Sequence, residues 1–246
     1  MILAKIIHVS LNRIEHLLWN VEKNVKREGY VQSEVFPLLS KNGFEPSFFD
    51  ATMIPDFEYN RGGSERLVKN YDKYIKYQNN LIKVGLNNDD PPRSYEIALF
   101  LSHYNLWKMS VEKNIPILIM EDDVLFDDAS AKYISEMCVN FVTKTNKLLY
   151  LQSVSPSRPT HNKAYDFSNL KQEDSFYIVS KNHGDFSGTC CYMVTPSSSK
   201  ILLDFVNNFG AICIDGFIHN CHRYTNLDIC IPQKYNDCAK LHLEYC

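Results

Sequence analysis

Residues 115–128 read IPILIMEDDVLFDD. An unbroken apolar run, 115–120, meets Glu121, Asp122 and Asp123, after which Val124, Leu125 and Phe126 resume the hydrophobic pattern. An ionised carboxylate left in apolar surroundings without a partner is costly, so the triplet must either turn out to solvent or hold something positive. IPILIM is too short and too β-branched for a helix and reads as a central, doubly covered strand. In open α/β sheets ligands sit beyond the carboxyl ends of such strands, which is where the triplet falls. Alternate side chains of an extended segment share a face, so Glu121 and Asp123 are expected to point together and Asp122 away. Two converging carboxylates suit a hard divalent cation, Mg or Mn, which also accepts phosphate oxygens. The local alternative is a water-exposed acidic turn that Asp127 and Asp128 merely continue.

Working outward, AKIIHVSL (4–11) reads as a first strand. The following IEHLLWNVEKNVKRE carries apolar residues at 14, 17, 18, 21 and 25, a helical spacing. GFEPSFFDAT (43–52) offers a second strand, punctuated by Gly43, Pro46 and Pro55. A tyrosine-rich stretch then runs to residue 92, with Arg61-Gly62-Gly63, a helix predicted near 64–82, and a loop at 87–92. SYEIALFLSHYNLWKMSVEKN (94–114) is a helix starting at Ser94. KLLYLQSV (147–154) is a strand, SFYIVS (175–180) and TCCYMVT (189–195) form a further pair, and SSSKILLDFVNNF (197–209) is a serine-capped amphipathic helix. This alternation predicts a single domain over 1–246, an α/β/α sandwich on a mainly parallel sheet, with halves at about 1–126 and 127–246.

The 246 residues are 45% hydrophobic, 22% charged and 13% aromatic, the composition of a globular domain with ample core. A net charge of −3 with scattered Lys and Arg argues against nucleic acid as a partner. MILAKIIHVSLNR is broken by Lys5 and His8 and is too short for a signal or a membrane span; no other apolar stretch approaches the roughly 20 residues a membrane helix needs. The chain as given is therefore expected to be cytoplasmic, or lumenal in the secretory pathway if cut from a longer protein. Its eight cysteines include no CxxC pair. Buried free thiols in a reducing compartment are the expected state, and disulfides the alternative.

FLSHYNLWKM (100–109) followed by ILIMEDDVLF (117–126) resembles the paired signature of glycosyltransferase family 25, which includes lipooligosaccharide galactosyltransferases and collagen hydroxylysine galactosyltransferases. The SHYNLWK form is closest to the collagen branch. IIHVSLNR (6–13), FFDAT (48–52), GTCCYMVTPSSSKILL (188–203) and ICIDGFI (212–218) resemble further family segments in the same order. Two departures touch donor and acceptor identity: Ala98-Leu99 stands where the family has Gly-Cys after Glu96, and Arg13, Ile14, Glu15 and His16 replace an arginine-rich stretch.

The resemblance implies a GT-A-like, Rossmann-related fold, a UDP-sugar (UDP-galactose or UDP-glucose), Mn2+ or Mg2+, and an acceptor that is a collagen-like polypeptide or a glycan. The first half would bind the nucleotide sugar and the second the acceptor. It implies metal binding by Asp123, with Glu121 as a further ligand, and Glu121 or Asp122 at the ribose or a metal-bound water. Asn12, Arg13, Ser102 and Asn105 are implied donor contacts; for Asn12 and Arg13 the plain alternative is a helix cap and a solvated charge. His103 and Trp107, four apart on one helical side, read as packed core residues. Asp215 is implied as the general base, with helix capping as its alternative. His219, four residues on, is a candidate metal ligand, with His222 and His242 as rivals. Tyr71 and Tyr74 lie in a segment, about 55–92, that reads as an acceptor-binding flap or as a stripe packed on the body. Competing readings are a lipopolysaccharide acceptor and a non-catalytic binding module. A nucleotidyltransferase lacks its Gly-rich triphosphate loop near residue 12.

Overall fold

The computed structural model describes residues 2–8, 21–52, 74–77, 80–85, 92, 94–125, 127–152, 170–182, 189–234 and 238–241. The strands are β1 (Ile2–His8), β2 (Phe44–Asp50), β3 (Tyr74–Tyr77), β4 (Asn80–Lys83), β5 (Ile117–Glu121), β6 (Val124–Leu125), β7 (Lys147–Tyr150), β8 (Lys171–Glu173), β9 (Phe176–Ile178), β10 (Cys191–Val194), β11 (Asp228–Pro232) and β12 (Lys240–Leu241). The helices are α1 (Val21–Tyr30), α2 (Phe36–Lys41), α3 (Ser94–Lys113), α4 (Asp128–Phe141), α5 (Pro196–Phe209) and α6 (Ile214–Tyr224).

Eight strands form one sheet in the order β2-β1-β5-β10-β7-β11-β9-β8. β1 runs parallel to β2 and β5, and β7 parallel to β11. β10 lies antiparallel between β5 and β7, and β9 antiparallel between β11 and β8. Six of the eight therefore point one way, with β10 and β9 reversed. The sheet is mainly parallel, as expected, and the architecture is that of a GT-A-like α/β/α sandwich. The expected pairing of 175–180 with 189–195 does not occur: β10 is drawn to the centre by its wholly buried Cys191–Val194, leaving β9 near the edge.

The strand pleat sorts the core into two layers. Ile117 and Ile119 of β5, Tyr192 and Val194 of β10, and Leu148 and Tyr150 of β7 join the layer covered by α3, α5 and α6. Leu118 and Met120, Cys191 and Met193, and Leu149 and Leu151 join the layer covered by α2 and α4. Period-two alternation with both faces apolar is what a sandwiched sheet requires.

Local chemistry sets where β5 ends. α3 stops because Asn114 adopts a left-handed φ of 52° and Ile115 N–H donates to Ser110 O at 3.1 Å, a capping geometry Asn tolerates. Pro116 follows and forbids further helix, so β5 starts at Ile117 and delivers Glu121 to its carboxyl end. After the triplet, Asp127 begins α4 with a capping box: its Oδ1 accepts from Ser130 N–H at 2.7 Å, and Ser130 Oγ accepts from Asp127 N–H at 2.9 Å. α5 is capped in the same way, by Thr195 rather than by a serine.

Two elements differ from expectation. Residues 31–41 continue the first helix through a π-turn (Val31–Val35) into α2. Pro37 has no N–H to donate, and Phe36 N–H reaches back five residues to Val31 O. The helix predicted near 64–82 is, where described, the β3–β4 hairpin, whose register pairs Tyr74 with Lys83 and Tyr77 with Asn80. The rest of that helix, from 64 to 73, lies outside the described residues, as do Asn12, Arg13, Tyr71 and His242.

The hairpin is fastened to the loop between α5 and α6. Ala211 N–H donates to Lys83 O at 2.8 Å and Gly85 N–H to Ala211 O at 2.9 Å. Gly210 has φ +88°, and a Cβ there would sit 2.6 Å from Gly85 N. Gly210→Ala is expected to lower the unfolding free energy by about 2–3 kcal/mol and to raise amide exchange in 80–85, measured by urea denaturation and hydrogen exchange. A stability equal to wild type would contradict the close approach.

Candidate active site

The carboxyl ends of β1, β2, β5 and β7 bring His8, Asp50 to Thr52, Glu121 and Gln152 to one rim of the sheet. Reversed β10 adds Thr189 and Cys190 from its amino end. This is the rim at which parallel strands leave their crevice.

The pleat splits the acidic triplet. Glu121 follows Ile117 and Ile119 onto the α3 side, and Asp122 falls on the α1 side. Asp122, 8% exposed, is gripped by two cations or potential cations: Arg27 Nη1 donates to Oδ1 at 2.8 Å, and His8 Nδ1 lies 2.7 Å from Oδ2. Arg27 Nη2 is also 3.8 Å from Asp123 Oδ2, and Glu28 Oε2 is 3.5 Å from His8 Nε2. Asp122 is thus anchored to β1 and α1 through His8 and Arg27.

Glu121 and Asp123 are held less firmly by positive charge, Asp123 reaching Arg27 only at 3.8 Å. Glu121 N–H donates to Cys190 O at 2.9 Å, and Thr189 Oγ1 donates to Glu121 Oε1 at 3.1 Å. Burial, then the charges of Asp123 and Asp215, pushes the Glu121 carboxyl up to about 8 although its side chain is 23% exposed. Burial also raises Asp123, against the pull of Arg27. Three acids at close electrostatic range, two of them resisting ionisation, form a site of stored negative potential.

Asp215 stands in the first turn of α6, whose N-cap, Cys213, makes no side-chain cap bond. Its charge acts on Glu121, Tyr192 and Cys190 as well. His219, one turn on, accepts at Nε2 from Arg223 Nη2 at 2.9 Å. His222 is buried, with Nδ1 2.9 Å from Leu227 O. Ser102 and Asn105 both point at the end of β2: Ser102 Oγ accepts from Thr52 N–H at 2.8 Å, and Asn105 Nδ2 donates to Thr52 Oγ1 at 3.4 Å. Tyr74 lies in β3. The structure therefore brings Glu121, Asp123 and Asp215 together and sets Ser102 and Asn105 along the neighbouring strand.

Among the described residues no group of three or more His, Cys, Asp or Glu side chains is placed to hold a metal ion. Two hard oxygen donors beside a third acid nonetheless fit Mg2+ or Mn2+, which are commonly held by one or two carboxylates with phosphates and water completing the shell. The seven described cysteines are free thiols. Burial pushes Cys221 and Cys230 up to about 12, a setting for inert thiols rather than nucleophiles.

Sequence reasoning missed His8, Arg27, Thr189 and Gln152. His8 closes an otherwise buried strand, the one local signal available; Gln152 is visible only through its contact, Oε1 accepting from Cys190 N–H at 3.1 Å.

A sequence profile of glycosyltransferase family 25, described as an LPS biosynthesis protein, matches residues 14–218. No curated protein matches the chain significantly. Among the described residues no helix is long and apolar enough to cross a membrane.

Two measurements test the electrostatics. Because the Glu121 pKa is raised from 4.5 to about 8 in the folded state, folding takes up a proton across that interval. The resulting stabilisation is complete below the lower value and disappears as pH rises through the upper one. Glu121→Gln should therefore gain in Tm relative to wild type between pH 5 and pH 8, and parallel Tm curves would refute the shift. Arg27→Met should lower urea-unfolding free energy by about 3 kcal/mol by stranding buried Asp122, and Arg27→Lys, lacking the forked contact, should restore only part.

Proposed function

The chain belongs to glycosyltransferase family 25, and on that footing we propose that it moves galactose or glucose from a UDP-sugar to an acceptor hydroxyl, with inversion at the sugar centre. The observation that carries this reading is the trio Glu121, Asp123 and Asp215 at the carboxyl rim of β5, with burial holding Glu121 and Asp123 in the uncharged direction, reinforced at Glu121 by the charges of Asp123 and Asp215 and at Asp123 by that of Asp122. Such a site favours a cation, and a UDP-sugar brings the diphosphate that a cation neutralises.

Glu121 and Asp123 would hold Mn2+ or Mg2+, which when bound supplies Lewis-acid stabilisation of the departing nucleotide diphosphate. Asp215 takes the proton of the acceptor hydroxyl as that oxygen attacks the sugar carbon from the face opposite the diphosphate. It stands in the first turn of α6, within electrostatic range of Glu121. Asp122, fixed by His8 and Arg27, keeps the turn that carries both metal-side carboxylates in place. Asn12, Arg13, Ser102 and Asn105 remain the proposed donor contacts, and His219 a proposed ligand whose Nε2 would first have to leave Arg223.

Two acceptors have specific support. A hydroxylysine of a collagen-like chain rests on the SHYNLWK form at 102–108 and on Tyr71 and Tyr74 as flat stacking surfaces. A lipopolysaccharide sugar rests on the description of the matching family.

The test is UDP release with Mn2+, a panel of UDP-sugars, and either a hydroxylysine-containing collagen peptide or a lipooligosaccharide core. The expected result is release that requires one donor and one acceptor class. Asp123→Ala should reduce turnover at least about 1,000-fold with the melting temperature retained, and Asp215→Asn should reduce transfer while leaving UDP affinity near wild type. Undiminished Mn-dependent turnover in Asp123→Ala would overturn the assignment, and no release with any pair would favour a binding module.

A further inference from the structure

Behind Glu121 lies a chain of buried groups that the chemistry above does not use. Trp107 Nε1 is 3.0 Å from Tyr192 Oη, Tyr192 Oη is 2.8 Å from His103 Nδ1, and His103 Nε2 is 3.9 Å from Glu121 Oε1. Trp107, Tyr192 and His103 have no exposed surface. The His103 and Tyr192 rings stack at 20° with centroids 5.6 Å apart, and Trp107 is wedged between Phe217, stacked at 5.6 Å, and Phe100, edge-on at 5.8 Å. Close packing of this kind leaves the imidazole one orientation.

Counting protons assigns the tautomer. An indole N–H can only donate, so Trp107 occupies one lone pair of Tyr192 Oη. Tyr192 has one hydroxyl proton, and among the described residues its oxygen has two partners, Trp107 and His103. If His103 Nδ1 carried the ring proton, Tyr192 Oη would accept twice and its own O–H would be buried without an acceptor. The bare Nε2 would then turn a lone pair toward a carboxyl oxygen. With the proton on Nε2, Trp107 donates to Tyr192, Tyr192 donates to His103 Nδ1, and His103 presents an N–H to Glu121. The first arrangement strands the Tyr192 O–H with no acceptor, whereas the second satisfies Tyr192 and leaves only Nε2–H, 3.9 Å from a carboxyl oxygen, outside hydrogen-bond range. Burial also keeps the ring neutral, pushing its pKa down to about 3.

We propose that His103, held as the Nε2–H tautomer by the Trp107–Tyr192 brace, is a positioning residue for Glu121 in the transfer site. The part Glu121 then plays rests on the transferase reading; the tautomer does not. At 3.9 Å the N–H lies beyond hydrogen-bond range of Oε1 and acts on it through its dipole. Thr189 Oγ1 donates to the same oxygen at 3.1 Å from the other side. Oε1 is thereby committed to the protein, and Oε2 is the oxygen presented to the donor complex.

The tautomer is read in the ligand-free, 15N-labelled full chain by long-range 1H–15N correlation, with the His103 signals identified by their loss in His103→Gln. The expected pattern is a protonated Nε2 and a bare Nδ1; the reverse pattern overturns the proposal. The Glu121 side-chain carboxyl 13C resonance, identified through Glu121→Gln, should move in His103→Asn, whose short amide cannot reach Glu121. It should return toward wild type in His103→Gln, whose amide N–H lies near the lost Nε2. In donor turnover His103→Asn should lose roughly 10–100-fold in kcat with KM for the UDP-sugar nearly unchanged, and His103→Gln should regain much of it. Tyr192→Phe, which keeps the ring and removes the hydroxyl, should shift the same carboxyl resonance and serves if His103→Asn does not fold. A folded Asn variant with a wild-type Glu121 resonance and kcat would overturn the positioning role. If the wild-type protein turns over no UDP-sugar, the transferase reading fails, and the tautomer and the Glu121 resonance still decide this proposal.

Discussion

The ion cluster of Asp122, Arg27 and His8 is what the rest of the site depends on. A carboxylate at 8% exposure is tolerable only when its oxygens are matched, and here each has its own partner, at 2.8 and 2.7 Å. Those partners lie 95 and 114 residues away along the chain. The cluster can close only when β1 has paired with β5 and α1 has docked beside them, so forming the fold and fixing the acidic turn are one event. Once Asp122 is held, the pleat dictates that Glu121 emerges on the opposite face, beside α3 and the amino end of β10.

The five acids between 121 and 128 then divide by environment rather than by type. Glu121 and Asp123 are buried near other negative charge and resist ionising. Asp122 is neutralised. The Asp127 pKa is lowered by the Ser130 N–H and hydroxyl that it binds. Asp128 is an exposed partner of Lys41 at 2.7 Å, a contact of the kind that contributes little. Divergent carboxyl environments within one turn are how a single strand end can supply both scaffold and chemistry.

Most of the sheet was legible because strand and helix periods differ and the core is apolar on both faces. β1, β2, β5, β7, α3 and α5 each carry their own pattern. The alternation argument separated Asp122 from Glu121 but not from Asp123, which lies in the turn and shares Arg27 with Asp122, and the reading of His103 and Trp107 as packed partners matches their shared hold on Tyr192. What escaped had non-local or masked causes. Tyr71 and Tyr74 are spaced as in a helix, yet cross-strand pairs such as Ile75 with Ile82 make the segment from Tyr74 a hairpin. The place of β10 between β5 and β7 follows from how four wholly buried residues pack, which no local signal encodes. VQSEVFPLLSK carries Pro37, a helix breaker by rule, and the π-turn that precedes it has no sequence period. Asp127 looked like more of an acidic turn because its capping partner, Ser130, lies beyond the motif.

That π-turn bears on how many residues the chain can carry between the acidic turn and the sheet. A helix that sends Arg27 to the acidic turn and lays Val31, Val35 and Leu39 against the sheet must keep both assignments in phase. Each residue of an α-helix turns the face by about 100°, so one residue gained or lost between Arg27 and Leu39 would swing one contact off its target. The widened turn at Val31–Val35 sets the phase between those two ends, so the segment is a register-setting seam whose residue count cannot change without moving Arg27 or Leu39 off its target.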